Sequence, residues 1–360
     1  MWLIRADANT KVGMGHLMRC LSIADAARGK NIEVRFVIAD SSAADVISSR
    51  GYDYIILDSD YQEMDAELDA WQSMNLDLCD VVLVDSYYIS YTYLSGLKHC
   101  LRESICLIYV DDVAAFPYPV DTLLNYNAYA SNTKYASLYA DSGECVPHLL
   151  LGERYVPLRA MFQNVPRRMQ KKQVTDVLIS TGGADGLHVM LSFLQYIMQH
   201  ALVPKYKFHL LIGNMNSDRE AIIELSRKMN IDVHERVEDM RGLIEACDIV
   251  VTAAGSTMYE ICACGVPMIT FSTADNQING TKVFEESGLA ISIGDLRNAD
   301  KINHGEVFSG SLSEDAPKRI LNAIDELSQD YVLRQKMGSK MQNLIDGHGA
   351  DRIVSAILDV

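Results

Sequence analysis

The stretch Trp2-Leu3-Ile4-Arg5-Ala6-Asp7, followed at once by the turn Lys11-Val12-Gly13-Met14-Gly15-His16, runs from an apolar strand through glycines toward a helix. In the second half, Val177-Leu178-Ile179-Ser180 leads in the same way into Thr181-Gly182-Gly183-Ala184-Asp185-Gly186. A β-rich run that ends in small or polar residues and opens a helix is the repeating unit of parallel, helix-covered sheets. Outward from these two units, apolar runs at 33–38, 54–57, 81–84 and 105–110 extend the first half, and runs at 207–212, 248–252 and 266–271 extend the second. Most are nearly pure Val/Ile/Leu, as strands buried on both faces require. The predicted fold is α/β: two parallel sheets, each covered by helices on both faces. The predicted domains are 1–155 and 174–330, joined by a linker at 156–173 that carries Pro157, Pro166, Arg167, Arg168, Lys171 and Lys172. The tail from about 311 is helical by pattern, with 331–360 as a helical tail whose final segment, released by Gly349, is expected to fold back over the first domain.

The chain has 360 residues, 49% apolar and 22% charged, which suits two folded domains at roughly 100–200 residues each. With 32 Lys+Arg against 48 Asp+Glu, the net charge of −16 argues against a nucleic-acid partner, which needs a broad basic face. A small anion is still compatible, since one helix N-terminus holds a phosphate locally. The eight cysteines form no C-x-x-C pair and read as buried thiols in a reducing compartment. Met1–Asp7 has only a short apolar run before charge, and no stretch approaches the ~18 apolar residues of a membrane span. A cytoplasmic protein with no membrane span is therefore expected; the oligomeric state is not legible.

In open α/β sheets ligands bind beyond the carboxyl ends of the strands, so the residues just after strands are the site candidates. Gly13 and Gly15 permit close backbone approach, and the following helix aims its N–H groups at the same place. A dinucleotide fingerprint would need glycine at position 18, where Met18 stands, so NAD is disfavoured and no cofactor is expected. His16 is a poor helix cap in a position facing ligand; near a helix N-terminus a neutral ring suits a general base. That role requires the ring to stand at the mouth of the crevice, within reach of water. Asp7, ending the first strand, either orients His16 or caps the loop, and Asp85 is expected to bond nearby backbone. Tyr87, after the run 81–84, either presents a phenol or packs in the core. Asp111-Asp112 read as loop caps rather than metal ligands, because no third ligand accompanies them. Asn125, Asn127 and Tyr129 suit hydroxyl or acetamido recognition, or simple turn chemistry. Thr181-Gly182-Gly183 and Gly255-Ser256-Thr257 are two small-residue turns suited to a diphosphate, Glu260 suits ribose hydroxyls, and Asn276-Gln277 form a further polar strand tip.

Taken together, Arg5-Ala6-Asp7, Gly13-x-Gly15-His16-x-x-Arg19, Asp111-Asp112, Leu123-Leu124-Asn125-x-Asn127-Ala128-Tyr129, Gly152…Tyr155-x-x-Leu158-Arg159, Gly182-Gly183 and Gly255-Ser256-Thr257-x-x-Glu260 resemble the UDP-2,4-diacetamido-2,4,6-trideoxy-β-L-altropyranose hydrolases of pseudaminic acid biosynthesis. The match runs in order over about residues 1–290 and stops there. The resemblance implies the GT-B fold, two Rossmann-like domains with a cleft between them, related to the glycosyltransferase that adds N-acetylglucosamine in peptidoglycan synthesis. It implies a metal-independent hydrolase of a UDP-sugar in which His16 activates water for attack at C1 with inversion, releasing UDP and the free sugar for flagellin or surface polysaccharide modification. Tyr87 falls in the family's active site, Glu260 at its ribose-binding acid, and Gly255, Ser256 and Thr257 at its nucleotide turn. Gly13, Gly15, Arg19, Asn125, Asn127, Tyr129, Asn276 and Gln277 are then expected around the sugar, and Gly182 and Gly183 around UDP. The rival expectations are a UDP-sugar glycosyltransferase, a UDP-N-acetylglucosamine 2-epimerase, and a sugar-nucleotide-binding subunit without turnover.

Overall fold

The computed structural model describes residues 1–9, 13–132, 135–200, 205–213, 215–229, 231–298 and 310–359. Lys11 and Val12 of the first glycine turn lie outside them. The chain divides into two compact units, Met1–Ala160 with His348–Val360, and Met161–Gly347.

The first unit runs β1 (Trp2–Ala6), α1 (Gly15–Gly29), β2 (Val34–Ile38), α2 (Ala44–Ser49), β3 (Asp53–Ile56), α3 (Leu68–Ser73), β4 (Val81–Asp85), α4 (Tyr91–Cys100), β5 (Cys106–Val110), β6 (Thr122–Asn125), α5 (Tyr135–Tyr139) and β7 (His148–Leu151). Its seven strands are ordered β3-β2-β1-β4-β5-β6-β7, and every pairing is parallel. The second unit runs β8 (Asp176–Ser180), α6 (Val189–Gln199), β9 (Lys207–Ile212), α7 (Arg219–Met229), β10 (Asp232–Glu235), α8 (Met240–Ala246), β11 (Ile249–Ala253), α9 (Thr257–Cys264), β12 (Met268–Ser272), α10 (Asp275–Glu286), β13 (Ile291–Asp295), α11 (Ala316–Gln329) and α12 (Tyr331–Leu344), and α13 (Gly349–Leu358) returns to the first. Its six strands, also parallel, are ordered β10-β9-β8-β11-β12-β13.

Both sheets are doubly wound, and each reverses direction once, between β1 and β4 and between β8 and β11. At such a reversal the loops leaving two adjacent strands diverge and open a crevice at the carboxyl end. The glycine turns after β1, β8 and β11 stand at these points. None of the described helices is long and apolar enough to cross a membrane.

β1 and β4 are buried along their whole length, including Arg5 in the middle of β1. Arg5 survives there because its guanidinium forks onto Glu67 at 2.9 and 2.5 Å and reaches Asp7 at 2.5 Å. A buried charge is tolerated only when it is paired and hydrogen-bonded in this way.

α12 belongs to the second unit, while α13 packs against α1 of the first, with the Lys30 ammonium donating to the Ser355 hydroxyl at 2.9 Å. At the start of α13, a Cβ on Gly349 would lie 2.1 Å from the Val156 carbonyl oxygen. Gly349→Ala should therefore lower stability by about 1–3 kcal/mol, because overpacking outweighs the ~0.5–1 kcal/mol that alanine gains over glycine in a helix. Urea unfolding of the two proteins measures the difference.

The segment 156–173 expected as a linker is in part a packed element. Phe162 is fully buried. Arg168 donates to the carbonyls of Glu245 and Cys247 at 2.9 and 2.6 Å, and Gln170 donates to the Gly265 carbonyl at 2.8 Å. Charge-rich sequence with little periodicity signals a loop but does not show whether its side chains cap neighbouring backbone.

Candidate active site

The chain leaves β1 at Asp7, turns through Gly13, whose N–H donates to the Asn9 carbonyl at 2.8 Å, and enters α1 at Gly15. Gly13 has φ +79°, a conformation that favours glycine. His16 then lies in the first turn of α1, and Arg19 one turn further on along the same face.

Since β4 is hydrogen-bonded to β1, with Ala6 opposite Asp85, the last residue of β4 comes beside the start of α1. The Asp85 carboxylate receives His16 Nδ1 on Oδ1 at 2.5 Å, and Arg19 Nε and a terminal nitrogen on Oδ2 and Oδ1 at 2.5 and 2.6 Å. The Cys20 thiol adds a fourth contact at 3.4 Å. Burial pushes the Asp85 carboxyl upward, but Arg19 and then His16 outweigh it and hold the group well below the usual carboxylate range. Burial likewise opposes the charge on Arg19, and Asp112 with Asp85 overcomes it, so the guanidinium stays protonated. An ionised Asp85 only accepts, which assigns the proton of His16 to Nδ1 and leaves the Nε2 lone pair as the basic atom. The 3.2 Å approach of Arg19 to Nδ1 then brings together two donors that share one carboxylate.

A second carboxylate, Asp112, gathers the neighbouring residues. It accepts Arg19 at 2.8 Å and the Tyr87 hydroxyl at 3.1 Å on Oδ2, and the Asn127 amide at 2.7 Å on Oδ1. Its main-chain carbonyl takes the Tyr129 hydroxyl at 3.0 Å. The Tyr126 hydroxyl sits 2.8 Å from Arg19, and burial pushes that phenol up to about 12. The Tyr87 ring stands edge-on to the His16 ring, with centres 4.4 Å apart and planes at 89°.

These positions revise several expectations. Asp7 does not orient His16; it accepts Arg5 and the Ala39 N–H at 2.9 Å, and Asp85 takes the orienting position. Arg19 is buried and committed to two carboxylates, Asp85 and Asp112. Asn125 is 1% exposed and supports the loop, donating to Tyr135 and accepting the Asn127 N–H at 3.1 Å. Asp111 does cap its loop, accepting the N–H groups of Val113 and Ala114, whereas Asp112 next to it points into the site. His16 is not open at a crevice mouth: it is 5% exposed and lies against Tyr87, which is 43% exposed. Asp85, Asp112 and Tyr126 were missed as site residues; the usable signal was the i, i+3 pair His16/Arg19, which demands a buried anion nearby.

In the second unit, Gly182 (φ +86°) and Gly183 follow β8, and a Cβ on Gly213 after β9 would collide with both of their carbonyls, at 2.4 and 2.2 Å. Gly255 and Ser256 follow the neighbouring β11, and Thr257 and Glu260 occupy the first turn of α9. A Cβ at Gly255 would meet open space, so its backbone is accessible. Asn276 is exposed in the first turn of α10, while Gln277 turns back to accept the Thr273 N–H at 2.8 Å.

Among known proteins, residues 177–302 match the glycosyltransferase family 28 C-terminal domain. The chain is 22% identical over 364 residues to the spore coat polysaccharide biosynthesis protein SpsG of Bacillus subtilis (strain 168), covering 99% of this chain and 97% of that protein. It is 26% identical over 172 residues to a UDP-N-acetylglucosamine–N-acetylmuramyl-(pentapeptide) pyrophosphoryl-undecaprenol N-acetylglucosamine transferase of Anaeromyxobacter sp. (strain K), covering 45% of this chain and 44% of the transferase. The structure of Acinetobacter baumannii MurG superposes with a TM-score of 0.63 at 12% identity, covering 100% of this chain and 99% of MurG. By fold, this chain is a GT-B protein, two Rossmann-like α/β units of seven and six parallel strands.

Proposed function

We propose that the chain is an enzyme acting on a UDP-sugar, a hydrolase that splits UDP-2,4-diacetamido-2,4,6-trideoxy-β-L-altrose into UDP and the free sugar with inversion at C1. The observation that carries this reading is the 2.5 Å contact between His16 Nδ1 and the ionised Asp85 at the reversal point of the first sheet. It leaves a base aimed away from its own support. Because His16 is 5% exposed, the step first requires the ring to become accessible to water; Nε2 then takes a proton from water, the oxygen attacks C1 from the face opposite UDP, and the C1–O electron pair leaves on the β-phosphate. The imidazolium that forms is stabilised by Asp85 and later returns its proton to solvent.

Gly255, Ser256, Thr257 and the N-terminus of α9, with Gly182 and Gly183, receive the diphosphate, and Glu260 accepts the ribose hydroxyls. Asn127 and Tyr129 face the acetamido groups, with Asn276 at a further polar tip. Support comes from the ordered motifs that resemble the altrose hydrolases and from the family 28 match over 177–302. Tyr87→Phe keeps the ring over His16 and removes its bond to Asp112, so UDP release should fall about tenfold with little change in KM; steady-state kinetics checks this.

The family 28 match also favours a second reading, a glycosyltransferase in which His16 deprotonates an acceptor hydroxyl. Supplying the UDP-sugar with no acceptor separates the two. Rapid, complete UDP release supports the hydrolase, and release only on adding an acceptor supports the transferase.

A further inference from the structure

At the opposite end of the second sheet from its glycine turns, three adjacent parallel strands bring a different set of side chains onto one face. β8 begins with Asp176, β9 carries Lys207 and His209 near its start, and the edge strand β10 reads Asp232-Val233-His234-Glu235. Asp232 is the register partner of His209, and His234 lies two residues further along the same face.

His209 Nδ1 is 3.1 Å from His234 Nε2. The ring centres are 5.3 Å apart and the planes inclined by 27°, so the rings meet edge to edge through these nitrogens. On its other side, His209 Nε2 lies 3.0 Å from Asp176 Oδ1, which fixes the proton on Nε2 and presents the Nδ1 lone pair to His234. Asp232 Oδ2 completes the group 3.8 Å from the same Nδ1. Among the described residues, His209, Asp232 and His234 are the group of three whose ligand atoms lie within 4.8 Å of one another.

We propose that His209, His234 and Asp232 form a binding site for a divalent transition cation of the zinc class, which ties the edge strand β10 to the sheet. Two Zn–N bonds of about 2.0–2.1 Å span an N···N gap of about 3.0–3.4 Å, so the imidazoles already stand at the spacing a cation needs. The proton now shared between Nδ1 and Nε2 moves to Nδ1 of His234, and both rings turn so that the two freed lone pairs converge on a cation lying beside the N···N line. Asp176 is the supporting carboxylate on the far nitrogen of a ligating histidine, an arrangement that orients the ring and raises its basicity. Two imidazoles and one carboxylate select zinc-like ions over Mg²⁺ and Ca²⁺, which favour all-oxygen sites. The opposing feature is Lys207, whose ammonium now holds Asp232 Oδ2 at 2.7 Å and competes with the cation for it. Lys207 is largely exposed and has room to swing away.

The test is isothermal titration of ZnCl₂ and of MgCl₂ into the full chain without a polyhistidine tag, with thermal unfolding alongside. One zinc per chain is expected, with no heat from magnesium. Zinc should bind at least tenfold more weakly to H234Q and to D232N, and more tightly to K207M, which removes the competing charge. It should raise the unfolding temperature of the wild type but not of H234Q, whose side chain is partly exposed and tolerates replacement. Absence of stoichiometric zinc binding overturns the proposal, and so does zinc held equally well by H234Q and D232N, since the ion would then reside on cysteines elsewhere.

Discussion

His16→Asn should abolish UDP release from the diacetamido-altrose substrate, with kcat down by about 10²–10⁴-fold, the usual contribution of a positioned base. Affinity for UDP should stay within about threefold, because the groups proposed to hold the nucleotide follow β8 and β11 in the other unit. Asparagine is the informative replacement: its amide still donates toward Asp85, so the buried carboxylate keeps a partner and the fold is not the variable under test. Turnover at the wild-type rate would remove the base from the scheme, and a large loss of UDP affinity would show that residue 16 serves nucleotide binding instead. Single-turnover kinetics with isothermal titration of UDP measures both quantities.

Asp85→Asn should be nearly as damaging to turnover and far worse for stability. Four donors converge on this carboxylate, His16 Nδ1–H, two nitrogens of Arg19 and the Cys20 thiol, whereas an amide offers one oxygen. If that oxygen turns to Arg19, the amide NH₂ faces His16 and forces its proton onto Nε2, which removes the base. If it turns to His16, a donor meets the guanidinium. Breaking one partner out of a buried ion pair costs about 3–5 kcal/mol, and Asp112 compensates only in part by holding Arg19 from the other side. The pH dependence has a definite sign. The folded carboxyl is held below its unfolded value of ~3.9, so its stabilising contribution is complete above that pH. The contribution is lost as pH falls toward the depressed value. The gap between wild type and variant in urea unfolding should therefore be constant from neutral pH down to about pH 5 and should narrow below about pH 4.

Why Asp85 and not Asp7 supports His16 shows where reading a sequence stops. Both acids end apolar strands, and Asp7 is the nearer in the chain. The deciding fact is that β4 lies next to β1 while Asp7 faces Arg5, and strand order is not written in local pattern. Asp111 and Asp112 make the same point at shorter range, since successive residues point to opposite sides and one caps while the other joins the site. What the sequence did disclose were features with a local cause: fully buried strands as unbroken Val/Ile/Leu runs, and glycine turns where the backbone needs positive φ. β6 and β7 at one side of the first sheet, and the outer β10 and β13 of the second, escaped notice because each is short and mixed with polar residues. The burial of His16 beneath Tyr87 also lay beyond it, because contact between side chains 71 positions apart follows only from the completed sheet.

Proton NMR of the untagged protein mixed with UDP-2,4-diacetamido-2,4,6-trideoxy-β-L-altrose alone is the most direct test. The expected spectra show UDP and free sugar rising together, with the anomeric proton of the inverted product appearing before mutarotation mixes the forms. A nucleotide-sugar that binds but persists unchanged until an acceptor is added, or a first-formed product of retained configuration, would contradict water activation by His16.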